Sequence, residues 1–341
     1  MITTQNAAGD ARLAALRSWI DTIQGLAGCE PVPASTDASF RRYFRLVADA
    51  GSFIVMDAPP EQEDCLPFVR VAGFLEAMRL NAPRVLEANL DNGFLLLTDL
   101  GTRAYLEELQ RDKAGAPALY SDAITALLAM QQRGTAYQTL LPLYDEELLR
   151  FELSLFHDWL CGRHLGIAFS EADKRRWQVV CDRLVENALE QPLVFVHRDY
   201  HSRNLMWSGD DNPGILDFQD AVEGPLTYDL VSLLKDCYVR WPPAQVRQWA
   251  LEFYRQLDVS LRALVDERAF RRNFELMGVQ RHLKAAGIFA RLNHRDGKSR
   301  YLDDIPRTLS YIVELRDDYE ELSYVIDLIE HQVLPAFGDS T

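Results

Sequence analysis

Apolar positions near the start of the chain recur at helical spacing between residues 13 and 23, which predicts an amphipathic helix capped by Asp10. The small-residue, proline-containing stretch 31–39 then predicts a loop. Two short apolar runs, 43–47 and 53–56, flank a turn-forming segment that contains Asp, Gly and Ser. This pattern is typical of a β-hairpin.

Three more elements are predicted before residue 101. They are a helix over about 65–80 and strands near 84–86 and 94–98. The first hundred residues are therefore expected to form a small, mostly antiparallel sheet that carries one or two helices.

Beyond residue 101 the apolar pattern becomes helical, and it is interrupted by short apolar runs that predict brief strands at 193–196, 205–207 and 214–216. We therefore predict an α+β chain with two lobes: a small N-terminal sheet lobe over 1–98 and a larger, mainly helical C-terminal lobe over 99–341. The long amphipathic stretches are 119–132, 146–160, 172–189 and most of 226–330.

The composition adds exclusions to this picture. The chain has 341 residues, 48% hydrophobic and 26% charged, which is ordinary for a globular protein and enough for two cores. Its net charge of −15 repels polyanions, so neither nucleic acid nor an anionic membrane surface is an expected partner. Its five cysteines form no CxxC pair, and no segment has the pattern of a leader peptide or a membrane span. We therefore expect a cytoplasmic protein.

A polar cluster follows the buried-strand pattern of 193–196. Asp199 and Asn204 lie five positions apart on a predicted loop, and Asp217 lies at the end of the later strand 214–216. Phosphoryl transfer needs an acceptor hydroxyl held in line and cations that balance the phosphate charge. Carboxylate and amide oxygens are the ligands that Mg²⁺ prefers, and a few suffice because the phosphates supply others. The cluster therefore predicts the Mg²⁺-binding and hydroxyl-orienting part of a phosphoryl-transfer centre.

The motif His197-Arg198-Asp199-x-x-x-x-Asn204 resembles the catalytic loop of protein kinases and of the aminoglycoside phosphotransferase family. The segments 217–220 and 224–230 resemble the metal-binding and downstream motifs of that family. The resemblance implies a bilobal protein-kinase-like fold. It also implies that Asp199 is the catalytic base, that Asn204 and Asp217 hold Mg²⁺, and that His197 and Asp229 are structural, Asp229 bracing the loop.

The expected nucleotide end departs from the kinase pattern. The segment 37–44 has no glycine, and the position of the third-strand lysine is Met56. Small residues still let backbone N–H groups approach a phosphate. We expect Arg41, Arg42 or Arg45 to supply the positive charge that the lysine would give to the phosphates. The resemblance places the interlobe hinge at 98–101. The candidate nucleotide contacts are Ala38, Ser39, Phe40, Arg41, Arg42, Arg45, Thr98, Asp99 and Leu100.

Taken over nearly its whole length, the chain is similar to a narrower family, the anomeric N-acetylmuramate and N-acetylglucosamine kinases of bacterial cell-wall recycling. The segments that carry this resemblance are 37–45, 56–60 and 278–284. It implies transfer from ATP to the C1 hydroxyl, in a route that bypasses fosfomycin-sensitive steps. The lactyl carboxylate of N-acetylmuramate favours a cationic contact. The acceptor-binding candidates are Asp199, His201, Arg203, Arg281 and Lys284.

Other interpretations stay open at this point. Arg281 and Lys284, three positions apart on a predicted helix, are equally well explained as solvated charges. The same fold would also suit an aminoglycoside, choline or homoserine as acceptor. The missing lysine is compatible with a pseudokinase that binds nucleotide without turnover, although the presence of all three catalytic-centre residues argues against it. The oligomeric state is left open.

Overall fold

The computed structural model describes residues 2–35 and 40–338. The chain divides into two compact units: Met1–Arg103 together with Met206–Asp220, and Ala104–Leu205 together with Ala221–Thr341. The first unit is built on a sheet and the second is mainly helical, so the predicted two-lobed α+β class is confirmed. The division differs from the predicted boundary after residue 98, and residues 206–220 join the first unit rather than the second.

Five antiparallel strands form the sheet of the first unit in the order β1-β2-β3-β5-β4. The predicted hairpin is confirmed, because Ala48 pairs with Gly51 across a two-residue turn, and Gly51 takes the positive φ of 129° that a side chain would resist. The strands and helices of this region are α1 (Ile2–Ile20), β1 (Val32–Ser35), β2 (Arg42–Ala48), β3 (Gly51–Asp57), α2 (Leu66–Ala77), β4 (Val85–Asn89) and β5 (Phe94–Thr98).

Two expectations for this unit are wrong. Helix α1 begins at Ile2, so Asp10 lies within the helix rather than at its start, and the helix ends before Ile23. The stretch expected to be only a loop contains β1, an edge strand that tolerates Pro33 because its N–H side needs no ladder partner.

The two faces of this sheet have different surroundings. Leu16 and Ile20 of α1 pack on the face that carries Phe44, Leu46 and Val55. The register places Tyr43, Arg45, Ile54 and Met56 on the opposite face, since alternate residues of a strand point to opposite sides. The position expected for the kinase lysine is therefore on the face away from α1.

The second unit is organised around its longest helix, α10. Sixteen of its thirty residues are buried, including Arg281 and Lys284, and it packs against α5, α6, α7 and α11. A side chain at Gly287 would lie 2.5 Å from the carbonyl oxygen of Leu155, so this glycine permits the close approach to α5. The helices are α3 (Tyr105–Arg111), α4 (Ala116–Gly134), α5 (Glu146–Leu155), α6 (Glu171–Leu189), α7 (Tyr228–Leu234), α8 (Pro243–Gln256), α9 (Val259–Leu264), α10 (Glu267–Asp296), α11 (Ile305–Val313) and α12 (Ser323–Leu328).

Short strands accompany these helices. β6 (Leu193–Val196) pairs with β9 (Val222–Pro225), and β7 (Leu205–Met206) pairs with β8 (Gly214–Ile215). The predicted helix over 146–160 is α5, which continues as a π-helical stretch over Phe156–His164. All five cysteines have free thiols. Across residues 2–35 and 40–338, the helices that reach the length of a bilayer are too polar to cross one.

Candidate active site

The catalytic loop leaves β6 in the second unit and is held by a buried carboxylate. Asp229, the second residue of α7, accepts hydrogen bonds from the backbone N–H groups of His197 (2.6 Å) and Arg198 (2.9 Å). Arg198 has a positive φ of 78°, an unfavourable conformation for a side chain that these bonds help to hold. Burial raises the pKa of Asp229 to about 7 even though the two N–H groups lower it. The brace therefore has the geometry expected from the motif.

A second carboxylate holds the other end of the loop. Asp236 is fully buried two residues after α7, and it accepts the backbone N–H of Ser202 (3.0 Å) and that of Tyr238 (2.8 Å). The sequence reasoning missed this residue. Its sequence position gave no helical signal, because Asp236 lies beyond the end of α7 and is set by the turn at Lys235.

Asp199 is partly exposed within this braced loop. Desolvation alone would raise the pKa of its carboxyl, but the charges of Lys284, Arg281 and Arg198 outweigh it and hold the pKa below its usual range. Asp199 is therefore ionised at neutral pH, as a group that accepts a hydroxyl proton must be.

Asn204 ends the loop and is tied back to its start. Its Nδ2 donates to the carbonyl oxygen of Asp199 (3.0 Å), and its backbone N–H donates to that of His201 (2.9 Å). These bonds orient the side-chain amide, whose oxygen is a ligand type that Mg²⁺ prefers.

A buried acid that no sequence motif marks lies at the centre of the charges around Asp199. Glu152 of α5 is 2% exposed, and its carboxylate accepts from Arg198 (2.5 Å), Lys284 (2.7 Å), Gln280 (3.1 Å) and the hydroxyl of Tyr144. Burial would raise the pKa of Glu152, but the charges of Lys284 and Arg198 outweigh burial and lower the pKa, so the carboxyl stays ionised. The cluster fixes the cations that surround the catalytic loop.

The structure decides how the charges on α10 are placed. Lys284 is buried, and its ammonium binds Glu152 and the hydroxyl of Tyr228 (2.8 Å). Arg281 is also buried, donates to the thiol of Cys237 (3.7 Å) and lies close enough to Asp199 to affect its pKa. The alternative that both residues are solvated helix charges is wrong.

His201 and Arg203 lie beside a half-buried tyrosine. Burial lowers the pKa of His201, so its ring is neutral at pH 7, and the ring meets that of Tyr238 edge-on at 5.4 Å. The guanidinium carbon of Arg203 lies 3.6 Å from the centroid of the Tyr238 ring.

In the first unit, Asp217 follows β8 with a positive φ of 62°, which is rare for a residue with a side chain. Its Oδ1 accepts from the amide of Gln219 (2.8 Å), and the neighbouring Phe218 packs on Phe68 of α2, with ring centroids 4.7 Å apart. The packing of Phe218 helps to hold this backbone conformation, which places a carboxylate at the end of the strand.

The arginines predicted to contact nucleotide phosphates differ in their partners. Arg41 pairs with Glu63 (2.9 Å), and Arg42 pairs with Asp57 on the α1 face of the sheet, opposite Met56. Arg45 shares the face of Met56 but binds Asp99 (2.6 Å) and the carbonyl of Gly101 (2.7 Å). Arg42 is therefore poorly placed to replace the lysine.

The remaining nucleotide candidates are placed as follows. Ala38 and Ser39 lie outside the described residues, and Phe40 is 63% exposed. Thr98 ends β5 and accepts the backbone N–H of Arg84 (3.0 Å). Asp99 and Leu100 follow directly. Desolvation would raise the pKa of Asp99, but Arg45 and Ser52 lower it by hydrogen bonding.

Similarity to known proteins assigns this chain to a family. The model of the phosphotransferase enzyme family matches residues 30–270. A protein of Pseudomonas aeruginosa named N-acetylmuramate/N-acetylglucosamine kinase is 47% identical over 93% of this chain and 96% of its own length. A protein of the same name from Pseudomonas putida is 49% identical over 87% of this chain and 86% of its own.

Solved structures agree on the fold. An ethanolamine kinase of Plasmodium vivax has a TM-score of 0.63 at 10% identity, covering 88% of this chain and 87% of its own. An ADP-bound aminoglycoside phosphotransferase has a TM-score of 0.55 at 13% identity, covering 87% of this chain and 97% of its own. The expected kinase-like fold and phosphotransferase activity are thus confirmed, and the chain belongs to the phosphotransferase enzyme family.

Proposed function

We propose that the protein is a Mg²⁺- and ATP-dependent kinase that phosphorylates the anomeric hydroxyl of N-acetylmuramate and N-acetylglucosamine. The observation that carries this proposal is the near full-length similarity to curated kinases of these two sugars. The family resemblance supports the C1 position and a role in peptidoglycan recycling with a consequence for fosfomycin resistance. The cysteine pattern of the sequence supports the proposed cytoplasmic location.

In this proposal the acceptor hydroxyl donates a hydrogen bond to the ionised Asp199. The hydroxyl oxygen attacks the γ-phosphorus, the bond to the bridging β–γ oxygen breaks, ADP leaves, and Asp199 takes the hydroxyl proton. The low pKa of Asp199 supports this role. Asp229 and Asp236 would hold the loop against movement during the transfer.

Asn204 and Asp217 are the proposed metal ligands. One amide and one carboxylate oxygen fit Mg²⁺, which binds few protein groups beside the substrate phosphates. When bound there, Mg²⁺ would neutralise phosphate charge. Thr98, Asp99 and Leu100 are the proposed adenine contacts, as the resemblance implies, and Ala38, Ser39 and Phe40 the proposed phosphate contacts.

We also propose that the Arg41–Glu63 pair substitutes for the usual lysine–glutamate pair of the kinase fold. Arg41 immediately precedes β2, and Glu63 precedes α2, so the pair joins the sheet to that helix. Its guanidinium side chain is 10% exposed, and it is not committed to the α1 face as Arg42 is. In the kinase fold a strand-borne lysine pairs with a glutamate of the following helix; here the cation lies just before the strand and the acid just before the helix.

The test is a turnover assay with ATP and Mg²⁺ over a panel of N-acetylmuramate, N-acetylglucosamine, kanamycin, choline and homoserine. Phosphorus NMR then locates the new phosphate. We expect sugar 1-phosphates, no turnover of the other acceptors, and a loss of roughly 10²–10⁴-fold in kcat for Asp199→Asn with nucleotide affinity retained. A 6-phosphate product would overturn the anomeric assignment. Nucleotide binding without turnover of any acceptor would favour a pseudokinase.

A further inference from the structure

Arg203 presents an oriented guanidinium on the same loop as Asp199, the proposed catalytic base, and close enough to His201 to affect its pKa. Its guanidinium carbon lies 3.6 Å from the ring centroid of Tyr238 and 5.7 Å from that of Tyr301. Tyr301 is buried, so the ring that limits the guanidinium on that side is itself fixed by packing. Stacking uses the face of the guanidinium and leaves the N–H donors at its edge available for a planar acceptor.

Within residues 40–338, no acceptor takes a hydrogen bond from this guanidinium or forms an ion pair with it, although Asp304 lies close enough for Arg203 to affect the pKa of its carboxyl. Asp304 is bound to Arg307 (2.8 Å), and Asp236 is occupied by two backbone N–H groups. An arginine that is half-buried, stacked and without an acceptor is the arrangement expected of a site that awaits an anion.

The position of Arg203 indicates that the anion it would bind belongs to the acceptor sugar. Its ring partner Tyr238 also contacts His201, and His201 is close enough to Asp199 to affect the pKa of that carboxyl. The other cations near Asp199 are less suitable, because Lys284 is held by Glu152 and Tyr228, and Arg281 is almost fully buried.

We propose that Arg203 binds the carboxylate of an acidic amino sugar and so determines the preference for N-acetylmuramate over N-acetylglucosamine. The inference rests on the proposed function, since it assigns one part of that acceptor to one side chain. The two sugars differ by the lactyl group alone, so a residue that binds the lactyl carboxylate affects one substrate and spares the other. A residue that binds the transferred phosphate affects both.

The experiment compares kcat and KM of Arg203→Ala and Arg203→Lys on both sugars. For Arg203→Ala we expect kcat/KM for N-acetylmuramate to fall about 10- to 100-fold, chiefly through KM, because a charge-assisted pair is lost in ground and transition state alike. Values for N-acetylglucosamine should stay within about 3-fold. For Arg203→Lys, kcat/KM for N-acetylmuramate should fall less than for Arg203→Ala, since an ammonium keeps the charge without the bidentate geometry.

Arg262→Ala is the matched control, an exposed arginine on α9 whose removal should leave both sugars unaffected. An equal loss on both sugars, or an unchanged kcat/KM for N-acetylmuramate, would overturn the inference while leaving the proposed function intact. If Arg203→Ala fails to fold, Arg203→Lys decides by the same comparison. Wild-type protein that turned over neither sugar would instead defeat the proposed function and this inference with it.

Discussion

Replacing Glu152 with glutamine removes one negative charge from a buried cluster and keeps the shape of the side chain. In the native protein the Glu152 carboxylate, 2% exposed, accepts from Arg198 at 2.5 Å and from Lys284 at 2.7 Å. Glutamine would leave both cations buried with no anion between them. Removal of one partner of a buried ion pair typically costs about 3–5 kcal/mol. Since a whole domain is stable by about 5–15 kcal/mol, this loss should be large.

Urea denaturation followed by tryptophan fluorescence measures the effect, because Trp177 and Trp249, both buried in the second unit, contribute to the emission. We expect Glu152→Gln to lower the free energy of unfolding by about 3 kcal/mol or more. The matched double variant Glu152→Gln with Lys284→Met removes a cation together with the anion. The double variant should lose about 1–3 kcal/mol less unfolding free energy than the sum of the losses of the two single variants, because the two groups are in contact.

Two results would refute this reasoning about Glu152. One is a loss below about 1 kcal/mol for Glu152→Gln, which would mean that solvent or rearrangement compensates the buried cations. The other is additivity of the two single variants, which would mean that the contact between Glu152 and Lys284 contributes nothing of its own.

Two further predictions concern the nucleotide end and the loop brace. Arg41→Ala should raise KM for ATP and lower kcat together by about 10-fold or more, whereas Arg42→Ala should leave both nearly unchanged; kinetics over an ATP series measure this, and equal effects would contradict the role of Arg41. For Asp229, burial raises the folded-state pKa to about 7, above its value in the unfolded chain. The native state then binds more protons between about pH 4 and pH 7, so wild-type stability should fall with rising pH relative to Asp229→Asn, by at most about 1.4 kcal/mol per pH unit. Urea unfolding at several pH values tests it, and a constant difference would contradict it.

The candidate site residues come from local pattern, whereas their ionic partners do not. Asp199, Asn204 and Asp217 are proposed from short spacings next to strand patterns, which is local information. The partners of Arg198 and Lys284 are not, because Glu152 lies 46 positions from Arg198 along the chain. A buried carboxylate that is paired by distant cations looks in sequence like any solvated glutamate.

Helical periodicity also does not predict which residues of α10 are buried. That helix is buried on most sides, so its polar positions do not mark a solvated face as they do on a surface helix. The position of Met56 on the face away from α1 follows from strand alternation, whereas the ion pair of Arg41 with Glu63 depends on how the loop before α2 folds. Local pattern therefore fixes which strand face a residue occupies but not its ionic partner.

The attachment of the catalytic loop to α7 has a consequence for how such enzymes change acceptor during evolution. Asp229 and Asp236 hold the loop through backbone N–H groups alone, so the hold does not depend on which side chains the loop carries. Arg203, on the same loop, faces Tyr238 instead. With the proposed role of Arg203, substitutions at Arg203 or Tyr301 would alter the accepted sugar while Asp199 stays in position. The fold therefore holds the backbone that carries Asp199 independently of the side chains proposed to select the acceptor.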